Sequence, residues 1–148
     1  MNFFALPLLI TDVILAVMGF FVLFKNIRSQ LNVTFFLFCL SMVVWLSGFS
    51  AMYLTKDPLV ALQYARIGFL GVVFIPVFAY HFVITILNLK NNFFLYIIYI
   101  LSALAIIASR TPYVYSSITR HFWGYYPVAG KFYFVFLVMF ISVFMYII

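Results

Sequence analysis

The stretch from Arg66 to Phe82 reads RIGFLGVVFIPVFAYHF. A permanent cation stands at the head of an apolar run with no acid beside it. Lys56 and Asp57 precede it, and the next charge is Lys90. The run belongs to an apolar segment from about Leu59 to Leu89, long enough to tilt or kink while crossing a hydrocarbon core of ~30 Å at ~1.5 Å per residue. The segment therefore reads as a membrane-spanning helix. Arg66 is then a charge inside it that needs a partner or a task. Pro76 removes one backbone donor within the same helix and predicts a kink or hinge there.

The rest of the chain follows the same plan. Of its 148 residues 69% are hydrophobic and 7% charged, against about 25% charged in an ordinary soluble domain. Apolar runs recur at about 3–24, 33–54, 59–89, 93–109 and 132–148, so the expected fold is an all-α integral membrane bundle of about five helices. The 21 Phe and 11 Tyr suit lipid-facing and interfacial surfaces. Pro58 is placed to open the third helix at its first turn. The start, MNFFALPLLI, lacks a basic region and a small-residue cleavage site, so it reads as a retained first helix. The last run is still apolar at Ile148, with no flanking charge. The chain is accordingly expected to be a single domain cut from something longer.

Charge limits the functions. The net charge is +6, but the cations are spread over the loops and form no nucleic-acid surface. With the amino terminus outside, Lys25, Arg28 and Lys90 lie inside, and Lys56, Arg110, Arg120 and Lys131 outside. That count slightly favours the reverse orientation. The first helix, with Lys25 and Arg28 on its inner flank and no cation before it, favours an outside amino terminus in the plasma membrane. Two acids in the whole chain leave almost nothing for hydrolytic or phosphotransfer chemistry. No phosphate loop, nucleophile elbow or thiol–histidine pair appears, and no cofactor or metal is implied. His81 and His121 fall near opposite membrane faces and cannot share an ion. Cys39 reads as an inert packed thiol.

Asp12 lies about nine residues into the first helix and Arg66 about seven into the third, roughly 14 Å and 10 Å along axes that enter from the same face. They are expected to face the bundle interior and interact, directly or through a polar neighbour. Trp45, flanked by Ser41, Ser47 and Gly48, reaches a similar depth from the second helix and could stack on the Arg66 guanidinium. Such a group either fixes helix register or takes part in ligand sensing or signal transfer. Gly68 and Gly71 stand three apart, not at the four-residue GxxxG spacing, and imply only a local close approach of helices. The segment HFWGYYPVAGK is either an aromatic belt or a lid over the bundle, with Gly124, Pro127 and Gly130 making its turns. Trp123 and Tyr126 are its ligand-contact candidates.

The order of these features resembles the seven-helix amino-terminal sensor region of bacterial histidine kinases, also found before diguanylate cyclase-type output domains. The resemblance rests on LNVTFFLFCLSMVVWLSGFSAMYL, ALQYARIGFLGVVFIPVFAYHFV and WGYYPVAGKFYFVF, with Trp45, Arg66, Gly68, Gly71, Pro76 and the Pro127–Gly130 turn at the typical places. It implies a receptor module that detects a small or membrane-soluble ligand and passes a helix movement to a cytoplasmic output domain. It also implies an outside amino terminus and leaves room for a homodimer through that domain. Two helices and the kinase domain are absent here, so the chain is not expected to be an enzyme by itself. A transporter or channel component, or a non-catalytic assembly subunit, remain the alternatives.

Overall fold

Asp57 and Pro58 begin the central helix of the molecule. The Asp57 carboxylate accepts from the Leu59 amide at 2.8 Å, an N-cap that satisfies an otherwise orphaned donor, and Pro58 takes the first helical position as expected. The structure is a computed structural model that describes residues 3–89 and 93–147, the side chains of 146 and 147 excepted. Lys90, one of the orientation cations, and Ile148 lie outside the described residues.

A single 3₁₀ turn at Phe3–Ala5 leads into α1 (Leu6–Lys25). Then follow α2 (Gln30–Leu54), α3 (Pro58–Ile86), α4 (Phe93–Ser109), a hairpin of β1 (Tyr115–His121) and β2 (Gly124–Ala129), and α5 (Tyr133–Ile147). Three helical segments, Phe3–Lys25, Gln30–Leu54 and Pro58–Ile86, are long and apolar enough to cross a membrane. Helices α4 and α5 are shorter and equally apolar. Hydroxyls within the helices mostly turn back on their own carbonyls, as Ser41 does to Phe38 at 2.7 Å and Ser50 to Leu46 at 2.8 Å. This satisfies a polar group without a partner helix.

Two boundaries differ from the sequence reading. Helix α2 starts at Gln30 rather than near Val33, because Asn32 folds back and its side-chain amide donates to the Val22 carbonyl at 2.9 Å. Helix α3 stops at Ile86 rather than Leu89. There Asn88 adopts φ 53°, and the Leu89 amide donates back to Ile84 at 3.0 Å. This is a Schellman closure, which asparagine tolerates in place of glycine. Pro76 is buried within α3, and the helix continues through it.

The all-α expectation needs a larger correction. Residues 115–129, read as a loop, form an antiparallel hairpin in which Ile118 pairs with Pro127, Thr119 with Tyr126 and Arg120 with Tyr125. Phe122 and Trp123 make the turn, closed by Gly124 at φ 134°. Pro127 lies in a strand instead of a turn, which a two-stranded ribbon allows because both strands are edges. Gly130 is needed at the hairpin's exit: a Cβ there would stand 2.1 Å from the Tyr113 carbonyl oxygen.

Helix α2 packs between α1 and α3. The α2–α3 contact is backbone against backbone. A Cβ on Gly48 would lie 2.6 Å from Gly68, and one on Gly71 would lie 2.3 Å from the Ser41 carbonyl oxygen. Small residues at these points let apolar helices approach closely where lipid supplies no hydrophobic drive. Beyond α3, a cluster around Phe69, Val73, Val114, Tyr115 and Phe136 joins α3 to the hairpin root and α5. Val77, Tyr80, Ile98 and Val143 continue this contact along α3, α4 and α5.

Candidate functional site

The hairpin folds over the end of α2 and α3. Tyr125 is buried with Met52, Ala61 and Ala65, and its hydroxyl donates to the Lys56 carbonyl at 3.0 Å. Gly124 is pressed against Tyr53, where a Cβ would meet the Tyr53 backbone at 3.0 Å. Of the two readings of HFWGYYPVAGK, this packing favours the lid. The sequence missed the strands because Pro127 and the glycines broke the alternating pattern. The aromatic and β-branched residues Tyr113, Val114, Tyr115, Ile118 and Thr119, interrupted by two serines, were the available signal.

Between this lid and the α2–α3 turn lies an open cleft of about 490 Å³, lined among others by Phe4, Tyr53, Lys56, Arg120, His121 and Phe122. The Arg120 guanidinium lies 5.9 Å from the centre of the Tyr125 ring. His121 stacks in parallel on Trp123 at 4.5 Å, and Phe122 meets the same indole edge-on at 4.4 Å. At the hairpin root, burial pushes the Tyr115 hydroxyl well above the ordinary tyrosine range, with Tyr133 and Tyr126 adding smaller contributions.

The candidates read from the sequence do not gather in one pocket. Asp12 accepts a hydrogen bond from the Ser47 hydroxyl on α2. Its other oxygen, Oδ1, and Arg66 Nε are both buried without a hydrogen-bond partner. Among the described residues no ion pair joins Asp12 to Arg66. The reason is azimuth rather than depth. Helix α1 meets α2 on the face of Phe36, Cys39 and Ser47. Helix α3 meets it on the face of Ser41, Trp45 and Gly48. Arg66 shares the helical stripe of Leu62, Phe69 and Val73, which packs toward Val114, Tyr115 and Phe136.

Trp45 does not stack on Arg66 either. The cation–ring pairs among the described residues are Lys25 over Phe21 and Arg120 over Tyr125. The Trp45 backbone instead forms the wall against Gly68 and Gly71. Its ring meets Phe49 edge-on at 6.2 Å, and Phe49 meets Tyr126 at 6.1 Å. Two of the candidates, Trp45 and Tyr126, are thus joined through Phe49. That residue stands four positions after Trp45, one helical turn on, but its β partner was invisible without the hairpin. Trp123 sits at the hairpin tip, apart from both.

His81 Nδ1 lies 2.9 Å from the Tyr99 hydroxyl, a packed histidine with a partner across α3 and α4. Among the described residues no three of His, Cys, Asp or Glu come together as a metal site. No protein family, curated protein or solved structure matches the chain.

Proposed function

We propose that the chain is the membrane-embedded sensing module of a two-component-type receptor. Its five helices cross the plasma membrane with the amino terminus outside. A small or membrane-soluble ligand occupies the cleft beneath the hairpin, and a shift of α2 against α3 carries the signal toward an output domain inside. Two populations of the bundle, unequally suited to the ligand, suffice for this. Pro76 supplies a point in α3 where one backbone hydrogen bond is already missing.

One observation carries the reading. The lid is tied to the place where α2 and α3 touch. From the hairpin, Tyr126 meets Phe49, and Phe49 meets both Trp45 and the position where Gly68 would carry a Cβ. A movement of the hairpin therefore acts on the glycine contact, where there is no side chain to absorb it. Arg66, half-buried on the stripe of α3 that packs toward the hairpin root, is a charge that a shift of α3 would move.

The test measures this coupling without a ligand. In a Cys39→Ala background, spin labels at Thr119 on β1 and Ile86 at the far end of α3 report their distance in lipid nanodiscs. Two populations are expected, with a ratio that changes when Tyr126→Ala frees the hairpin from Phe49. A single population, unchanged by Tyr126→Ala, would sink the sensing reading.

A further inference from the structure

We infer that the cleft under the hairpin is a binding site for an amphiphile with a small anionic head, a carboxylate or a phosphate, and a short apolar tail. The ligand class belongs to the sensing reading and rests on it for its biological meaning, but the binding can be measured without any signal.

Charge is the first ground. Lys56, Arg120 and His121 line the cleft, and neither acid of the chain does. Among the described residues neither permanent cation of the cleft is ion-paired to a carboxylate: Asp57, next to Lys56 in sequence, turns to the Leu59 amide, and Asp12 lies on α1, engaged by Ser47. The two cations stand at the end of long apolar helices, where the dielectric falls toward the hydrocarbon and an anion gains most from pairing.

Arrangement is the second. One residue, Tyr125, joins the two segments that carry the cations. Its hydroxyl holds the Lys56 carbonyl at 3.0 Å, and its ring underlies the Arg120 guanidinium at 5.9 Å. The register of the hairpin sets Arg120 directly across from Tyr125, so the guanidinium is presented by a paired strand rather than a free loop. A guanidinium and a lysine lining one cleft suit carboxylate or phosphate oxygens.

Shape is the third. A volume of about 490 Å³ falls in the range of small-molecule sites, about 300–1,000 Å³, and is far larger than an inorganic ion requires. In the lining of the same cleft, Phe4 and Phe122 meet edge-on at 5.7 Å and offer an apolar seat. A headgroup from the bilayer and a free amphiphile share this chemistry.

The test uses the full chain in phosphatidylcholine nanodiscs, with Trp45→Phe to leave Trp123 as the single indole beside His121 and Phe122. Sodium octanoate and octyl phosphate are titrated against octanol. The anions are expected to give a saturable change in Trp123 fluorescence and octanol none. Lys56→Gln with Arg120→Gln is expected to weaken binding about tenfold or more, since each removes a charge-assisted hydrogen bond. Arg120→Lys, which keeps the charge but loses the planar fork, is expected to weaken binding less than Arg120→Gln and so separates lost charge from lost fold. Lys25→Gln with Arg28→Gln, at the opposite end, is expected to change nothing. Nanodiscs with phosphatidylglycerol then identify the source. Loss of the octanoate titration there means that bilayer lipid fills the site, and its persistence means that the free amphiphile does; both support the site. Octanol matching octanoate, or equal affinity in the Lys56→Gln, Arg120→Gln chain, overturns it. Anion binding with an unresponsive Thr119–Ile86 distance would keep the site and remove the sensing role. The reverse outcome would keep sensing and remove this ligand class.

Discussion

The Ser47 hydroxyl on α2 donates to Asp12 Oδ2 on α1, and this bond holds the one acid that lies within a helix. It ties α1, whose other side is largely exposed, to the rest of the bundle. Interhelical hydrogen bonds of this kind in membranes contribute about 0.6–2 kcal/mol.

Ser47→Ala is expected to loosen α1 by about 1–2 kcal/mol, because it leaves both carboxyl oxygens unpartnered. Asp12→Asn, which keeps an acceptor for Ser47, is expected to cost less. Thermal unfolding in detergent, with exchange of α1 amides as the local readout, checks the order. Equal stability of Ser47→Ala and the parent chain would deny the bond any role.

The α2–α3 contact predicts a graded glycine series. Gly71→Ala and Gly48→Ala place a methyl group against backbone at 2.3 Å and 2.6 Å, where nothing can rotate away. Each is expected to force the helices apart at a cost of about 1–3 kcal/mol. Gly19→Ala meets the Cys39 side chain at 3.0 Å and is expected to cost less. Melting temperatures of the three variants test the ranking.

Phe49→Ala removes the ring between Trp45 and Tyr126. Loss of this aromatic contact between the hairpin and α2 is expected to raise amide exchange across the hairpin by about tenfold. Phe122→Ala, at the 84% exposed turn, is expected to leave exchange of the paired strand residues unchanged. Similar protection in both variants would mean that the hairpin does not depend on α2.

Burial raises the Tyr115 pKa in the folded chain above its unfolded value. The folded state therefore holds this proton to higher pH than the unfolded state. The associated stability is complete below about pH 10, the ordinary tyrosine value, and falls as pH rises beyond it. Tyr115→Phe is expected to flatten that fall, seen as a smaller loss of melting temperature between pH 9 and pH 11, values chosen to bracket about pH 10. Identical slopes would place the alkaline sensitivity in the other tyrosines.

The apolar runs by themselves determined where the helices lie, since a run such as Leu59–Ile86 leaves the backbone no alternative to bonding itself. Pro58 and the glycines at 68 and 71 were legible for the same local reason: a missing N–H or a missing Cβ has its consequence in place. Depth was legible too, because rise per residue is fixed. That is why Asp12 on α1 can meet Ser47 on α2, and the Trp45 backbone the glycines of α3. Only the tertiary structure decided azimuth. Whether Asp12 meets Arg66 or Ser47 depends on which face of α2 each neighbour takes, and helices apolar on nearly every side carry no stripe to announce it. The hairpin was likewise a tertiary outcome. Residues 115–129 have a proline in the second strand and too few partners to stand alone. They become a lid because Tyr125 can bury itself on Met52, Ala61 and Ala65 and bond the Lys56 carbonyl, contacts that exist only once α2 and α3 have closed.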